Sequence, residues 1–299
     1  MTAPAAWAAP IPPLPSISLD ELVAHAEMLT RIDRKYLLER SQVPTVLAGL
    51  DPATRVLEIG GARTQLYRST YFDTPGLDSY CAAAHPRRRR FKVRTRIYAD
   101  SASAFLEVKT RGPRGATVKE RIPLPLAAAR ADDLTDAGRA WVGGRLAALG
   151  REPSLAERLR PVLHCSYRRA TLAMPEGGRA TLDTDLVWTD AVGARLDCPD
   201  VAIIETKSGS SPSCLDRLLW AHGRRPERVS KFATALAALH PDLPANRWAR
   251  ALRRAGLQTA RSTGLRADLH GARIGGPRSG DHPTTIPAVA GTTTEGPTR

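Results

Sequence analysis

The chain has 299 residues, 42% of them hydrophobic, and carries 44 Lys and Arg against 30 Asp and Glu, a formal net charge of +14. That composition supports a core, and the cationic excess points to an anionic partner: nucleic acid, a phosphorylated molecule or an acidic membrane surface. No run of about 18 apolar residues is present, so no membrane-spanning helix is expected.

Taken in chain order, residues 1–17 are Pro/Ala-rich and read as an unstructured leader. Their sequence, MTAPAAWAAPIPPLP onward, lacks the basic n-region and apolar run of a signal peptide, so a cytoplasmic protein is expected. Ser18-Leu19-Asp20-Glu21 is a capping box that predicts a helix to about residue 29. Ser41 is a second candidate cap, for a short helix. A strand over 65–72 ends at the turn signal Asp73-Thr74-Pro75-Gly76, in which Asp73 reads as a turn former rather than a ligand. Strand patterns follow at 90–98, 104–110, 117–123, 162–173, 179–188 and 201–207. Helical patterns lie at about 132–149, 213–222, 231–239 and 246–255. From about Gly264 on, Gly, Pro, Thr and Arg dominate without apolar periodicity, so 257–299 is read as a disordered tail behind one domain over 18–256. The four cysteines, Cys81, Cys165, Cys198 and Cys214, show no paired metal spacing and are expected as free thiols. Strands joined mostly at hairpin length, with helices interspersed, predict an antiparallel α+β fold.

Residues i, i+2 and i+4 of a strand share a face. On that rule Lys92, Arg94 and Arg96 lie together, as do Glu107 with Lys109, Lys119 with Arg121, Tyr167 with Arg169, Arg179 with Asp183 and Asp185, and Glu205 with Lys207. One such strand is an ordinary half-solvated strand. Six skewed towards cations form a face whose like charges repel unless an anion lies against it. If the sheet closes into a barrel, that face points either outward as a basic surface or inward as a polar lumen with helices over the apolar outside.

The basic residues divide into 38 Arg and six Lys: Lys35, Lys92, Lys109, Lys119, Lys207 and Lys231. Four of the six fall in the charged strands. Lys35 lies in the polar stretch after the first helix, and Lys231 follows Ser230 at the start of a predicted helix, where free N–H groups would add to its charge. Lysine kept in an arginine-biased chain marks places that need a compact point charge with adjustable donors.

The segments STYFDTPGLDSY, FKVRTRIY, FLEVKT, TVKERI, SYRRATL, ATLDTDL, IIETK and RVSKF stand in the order found in VTC domains, the catalytic domains of polyphosphate polymerases. The chain resembles that family over about residues 27–240. VTC domains belong to the triphosphate tunnel metalloenzymes and are related to the CYTH phosphatases. The resemblance implies an eight-stranded antiparallel β-barrel tunnel with a basic lumen, flanked by helices. It implies that Lys35, Arg94, Arg96, Lys109, Lys119, Arg169, Arg179 and Lys231 bind phosphates, with Arg94, Arg96, Lys109 and Lys231 the catalytic group. Glu205 matches the metal-binding glutamate for Mn²⁺ or Mg²⁺. The run Arg87–Arg90 implies one further basic contact, and the Tyr-x-Arg spacing favours Arg169 over Arg168. The CYTH ExExK motif is here Arg31-Ile32-Asp33-Arg34-Lys35, with one acid before the lysine.

The implied reaction is phosphoryl transfer from ATP to a growing polyphosphate chain. Hydrolysis of triphosphate or nucleotides, with Asp33 and Glu205 sharing a metal and activating water, is one alternative. A non-catalytic polyphosphate binder is the other. Aromatic residues make up 5% of the chain and no run interleaves them with Arg, so specific single-strand nucleic-acid binding is not expected. Eukaryotic members work in membrane complexes, so a membrane protein partner is compatible with the resemblance.

Overall fold

Period-two patterning and short connections draw the strands of this chain into one sheet. The computed structural model describes residues 11–25, 32–111 and 117–257. The expected tail therefore lies outside the described residues, apart from Leu257. The strands are β1 (Ser16–Ile17), β2 (Ile32–Glu39), β3 (Arg55–Leu57), β4 (Gln65–Asp73), β5 (Arg90–Tyr98) and β6 (Ser103–Arg111). They continue as β7 (Thr117–Leu124), β8 (Arg160–Ala173), β9 (Arg179–Asp190), β10 (Arg195–Cys198) and β11 (Val201–Ser208). Eight follow one path, β2-β11-β9-β8-β4-β5-β6-β7, and every neighbouring pair on it is antiparallel. No backbone pairing joins the end strands β2 and β7 among the described residues. Even so, Lys109 of β6 interacts electrostatically with Asp33 and Lys35 of β2, so the sheet curls until its far strands face each other.

The helices are α1 (Leu19–His25), α2 (Val43–Leu47), α3 (Asp78–Ala84), α4 (Leu126–Arg130), α5 (Asp136–Ala148), α6 (Cys214–Ala221), α7 (Ala233–Leu239) and α8 (Ala249–Arg254). Much of the convex face of the sheet is apolar and covered. Phe72, Phe91, Val93, Leu106 and Val108 pack on Val142 and Leu146 of α5. Tyr36, Leu38, Leu182, Ala202 and Ile204 pack on α2 and on Leu215 and Leu219 of α6. Asp216, fully buried at the start of α6, fastens that helix to two strands by accepting from the Tyr36 hydroxyl and Thr206 Oγ1, each at 2.6 Å.

The concave face changes character along its length. Lys35 and Leu37 share one side of β2, and Glu205 and Ile203 one side of β11. Leu37 and Ile203 join Tyr71, Tyr167, Trp188 and Trp248 in a cluster with Phe232 and α7. An apolar plug thus fills one part of the curl and leaves the other to the charged residues.

Several local features depart from expectation. Residues 11–17, expected as leader, are placed: β1 pairs in parallel with β3, and Leu14 and Ile17 are buried. The polar stretch around Lys35 is strand β2. Its charges mask the Tyr36-Leu37-Leu38 run that packs on both faces. Ser41 lies inside a 3₁₀ turn, Arg40–Gln42, whose capping box is formed by Glu39 and Gln42. The Ser18 box forms as read, with Ser18 N donating to Glu21 Oε2 at 2.9 Å and Glu21 N to Ser18 Oγ at 3.2 Å. Asp73 serves the turn, accepting from the amides of Thr74, Ser79 and Tyr80 at 2.8–2.9 Å. The cysteines are free thiols.

The β8–β9 hairpin closes at Gly178, where φ is +79° and an added Cβ would lie 2.4 Å from the Lys207 carbonyl oxygen. Gly178→Ala is expected to cost about 1–3 kcal/mol through the left-handed backbone and the displaced β11. Urea denaturation checks this; a variant as stable as the parent would show that the hairpin does not press on β11.

Candidate functional site

Three buried carboxylates organise the concave face, and each holds two cations. Glu107 of β6, 2% exposed, takes Arg94 Nη2 and Lys119 Nζ at 2.5 Å each. Asp183 of β9, fully buried, takes Arg169 in a bidentate pair at 2.6 and 2.8 Å, and Lys231 as well. Glu205 of β11 takes Lys35 at 2.5 Å and Lys207 at 2.8 Å, and Lys207 also lies 3.7 Å from Asp33. Burial alone would raise these acids. The paired cations win, holding Glu107 and Asp183 at about 2 and Glu205 well below the usual carboxylate range. The pairs are not symmetric in effect: burial takes Lys119 down to about 8, a cost that its attraction to Glu107 does not recover.

The remaining two lysines have no carboxylate in ion-pair contact among the described residues. Lys92 and Lys109 are direct cross-strand partners, and Lys109 in turn faces Lys119, so three lysines form a row over β5, β6 and β7. Lys92 donates to Ser230 Oγ at 3.0 Å. Burial first, then Lys109, Arg94, Lys35 and Lys231, push it well below the ordinary lysine range. All six lysines therefore gather on one face.

Tyrosines support the arginines. Arg96 donates to the Tyr167 hydroxyl at 2.9 Å and Ser69 Oγ at 3.2 Å. Arg169 lies 5.0 Å from the Tyr67 ring centre and 5.2 Å from that of Tyr167, and Lys231 lies 4.6 Å from Tyr167. Cation–π contact of this kind holds guanidinium planes in place. Sequence reading missed it, because the interleaving of Arg and Tyr occurs between strands rather than along one. The rings are buried, so they brace the arginines rather than offer stacking platforms.

Of the residues singled out from sequence, Lys35, Arg94, Arg96, Lys109, Lys119, Arg169, Lys231 and Glu205 come together on the concave face. Arg179 sits across from Lys207 at the end of β9. Arg169 turns inward while Arg168 is exposed. Within Arg87–Arg90, the first three are exposed and Arg89 turns to the Gly150 carbonyl at 3.1 Å, whereas Arg90 continues the Lys92 face. Lys231 differs from expectation. α7 begins two residues later, and its ammonium pairs with Asp183 instead of adding to helix N–H groups. Asp185, with φ of +51°, leaves the shared face and pairs with Arg40 at 3.0 Å.

No group of three or more His, Cys, Asp or Glu that could hold a metal occurs among the described residues. Glu205, with Asp33 reached through Lys207, offers a small set of hard oxygens. That set fits an ion of the Mg²⁺ type, which takes one or two carboxylates and completes its shell with water and substrate phosphates.

Because Glu107 and Asp183 titrate lower in the folded chain than their ordinary 4.5 and 3.8, their stabilisation is complete above those values and is lost as pH falls towards 2. Urea denaturation between pH 7 and pH 3 is expected to show that loss, on the order of 2 kcal/mol per carboxylate at full protonation. Glu107→Gln should be less stable at pH 7 and show a flatter acid slope. Parallel pH profiles for parent and variant would contradict the pairing.

The model of the VTC domain family matches residues 30–240. No curated protein matches the chain. Among solved structures, HpAC1 from Hippeastrum, an adenylyl cyclase by name described as having a dominant triphosphatase activity, is 16% identical with a TM-score of 0.44. The match covers 73% of this chain and 100% of that one. A protein of Vibrio parahaemolyticus named for adenylate cyclase is 12% identical, with coverages of 67% and 94% and a TM-score of 0.38. The inorganic triphosphatase NE1496 is 16% identical, with coverages of 62% and 77% and a TM-score of 0.26. Likeness at these scores carries no argument by itself. The match over residues 30–240, which contains every residue of the concave site, shows that the chain belongs to the VTC domain family.

Proposed function

We propose that the chain transfers the terminal phosphoryl group of ATP to a polyphosphate chain bound along the concave face. The observation that carries this reading is the state of the acids: Glu107, Asp183 and Glu205 are each committed to two cations and held ionised. Carboxylates so held are poor proton acceptors, which disfavours activation of water. A terminal phosphate oxygen is already anionic and needs no base.

In this reading the acceptor oxygen attacks the γ-phosphorus of ATP, and the bond from that phosphorus to the bridging oxygen breaks, releasing ADP. The work of the site is alignment and charge neutralisation. Arg94, Arg96, Lys109 and Lys231 surround the transferred group. Lys35, Lys119, Arg169 and Arg179 hold the flanking phosphates. The tyrosine-braced guanidiniums lose little freedom when phosphate arrives, which favours the transition state over a loosely bound ground state. Mn²⁺ or Mg²⁺ on Glu205 would neutralise charge on the leaving oxygens. No described helix is long and apolar enough to cross a membrane, and a cytoplasmic setting is part of the proposal.

Incubation with ATP and Mn²⁺ or Mg²⁺, resolved on a polyphosphate gel, tests it. A ladder of chains is expected from the parent and none from Glu205→Gln, which should still bind polyphosphate. Free phosphate without polymer would make the chain a hydrolase. Neither product, with binding intact, would make it a binder.

A further inference from the structure

Apart from Arg121, Arg179 and Arg96, which Ser69 and Tyr167 hold near Glu107, the cations of the concave face form two groups. One group, Lys35, Arg94, Lys119, Arg169, Lys207 and Lys231, is held by the three buried carboxylates. The other has no carboxylate in ion-pair contact among the described residues. It begins with Lys92 and Lys109, which face each other across β5 and β6, and continues two residues further along the same faces with the cross-strand pair Arg90 and Arg111. A two-residue step along a strand is about 6.5 Å. Arg247 and Arg228 complete the group. Arg247 precedes Trp248, which packs on Tyr80 of α3 with ring centres 5.5 Å apart, just ahead of β5. Arg228 follows Glu227, whose amide donates to the Lys35 carbonyl at 2.7 Å at the edge of the sheet. Arg90 is pushed below the usual arginine range by burial and then by Arg111 and Arg247, and Arg247 by burial and then by Arg228 and Arg111.

Among the described residues these six cations have no carboxylate in ion-pair contact, and only Lys109 feels nearby acids, Asp33 and Glu205, so the group repels itself. An isolated phosphate would neutralise one or two of them. A continuous polyanion would neutralise them all, at an entropic cost spread over one molecule. The carboxylate-bearing group differs in kind, because Glu205, the candidate metal ligand, lies there.

We infer that Arg90, Arg111, Arg228 and Arg247 form a binding track for phosphate units beyond those held at the lysines, so that the acceptor polyphosphate leaves the site over this rim. This rests on the concave face being a phosphate site, and it extends that reading by assigning the two ends of the site to different ligands. Donor triphosphate belongs to the carboxylate-bearing end, and the long chain to the uncompensated end. Affinity should then rise with chain length beyond three phosphates.

The test is titration calorimetry of the full chain with tripolyphosphate and, separately, with long-chain polyphosphate, without divalent metal. The variant is the double substitution Arg111→Ala with Arg247→Ala, both side chains being partly or largely exposed. The control is Arg68→Ala with Arg130→Ala, which removes the same charge from a groove on the convex side. The rim variant is expected to bind long chains about tenfold more weakly and tripolyphosphate within about twofold of the parent. The control should match the parent with both ligands. The inference fails if the rim variant keeps parental affinity for long chains. It fails equally if both ligands weaken together, or if the control loses as much as the rim. Absence of tripolyphosphate binding by the parent would instead sink the phosphate reading of the face, and the rim track with it.

Discussion

Repulsion among like charges on a concave sheet is the constraint around which this molecule is built. The row of Lys92, Lys109 and Lys119 places three ammonium groups directly opposite one another on adjacent strands. A flat, solvated sheet would let such charges splay into water. Here the sheet curls, and its convex face is committed to α2, α5 and α6. The fold meets the repulsion by burying Glu107, Asp183 and Glu205 where each can hold two cations, and by bracing the guanidiniums on Tyr67, Tyr71 and Tyr167. Hydrophobic cover outside and ion pairs inside are thus one solution: the helices make the curl, and the curl makes the carboxylates necessary.

That arrangement bears on the chemistry. A site for water activation needs a carboxylate whose proton affinity is near the working pH. These acids are held far from that range by their own partners. They serve as fixed counter-charges to the cations around them. Membership of the VTC domain family agrees with a polyanionic substrate, and under the proposed transfer reaction the division of the face into two groups of cations would give the two reactants separate places to lie.

Much of this was legible in the sequence, because strand parity is a local property. Lys92, Arg94 and Arg96 had to share a side, and so did Glu205 and Lys207. The Tyr-x-Arg spacing picked Arg169, which shares the inward face of Tyr167. Other features depend on register and tertiary contact, which no local pattern carries. The partners of Glu107 come from the strands on either side of it. β2 was hidden because Asp33, Arg34 and Lys35 break its apolar alternation; the curled sheet gives Asp33 and Lys35 an interior to face, while Arg34 turns to Asp216 of α6 on the other side. Lys231 was assigned to a helix end on the strength of Ser230. Its carboxylate partner, Asp183, lies 48 residues earlier in the chain. The turn at Asp185 redirects that side chain through a positive φ that alternation does not foresee.

The confinement of lysine to the concave face also makes the chemistry of the amine a private property of the site. The exterior carries its positive charge on arginine, which does not acylate under mild conditions. Apart from the chain's own amino terminus, every primary amine lies on the concave face. Burial lowers the proton affinity of Lys92, Lys109, Lys119 and Lys207, and a neutral amine is the reactive form. An amine-directed reagent therefore reads the interior of this protein and almost nothing else, so that its uptake, residue by residue, becomes a footprint of whatever occupies the curl.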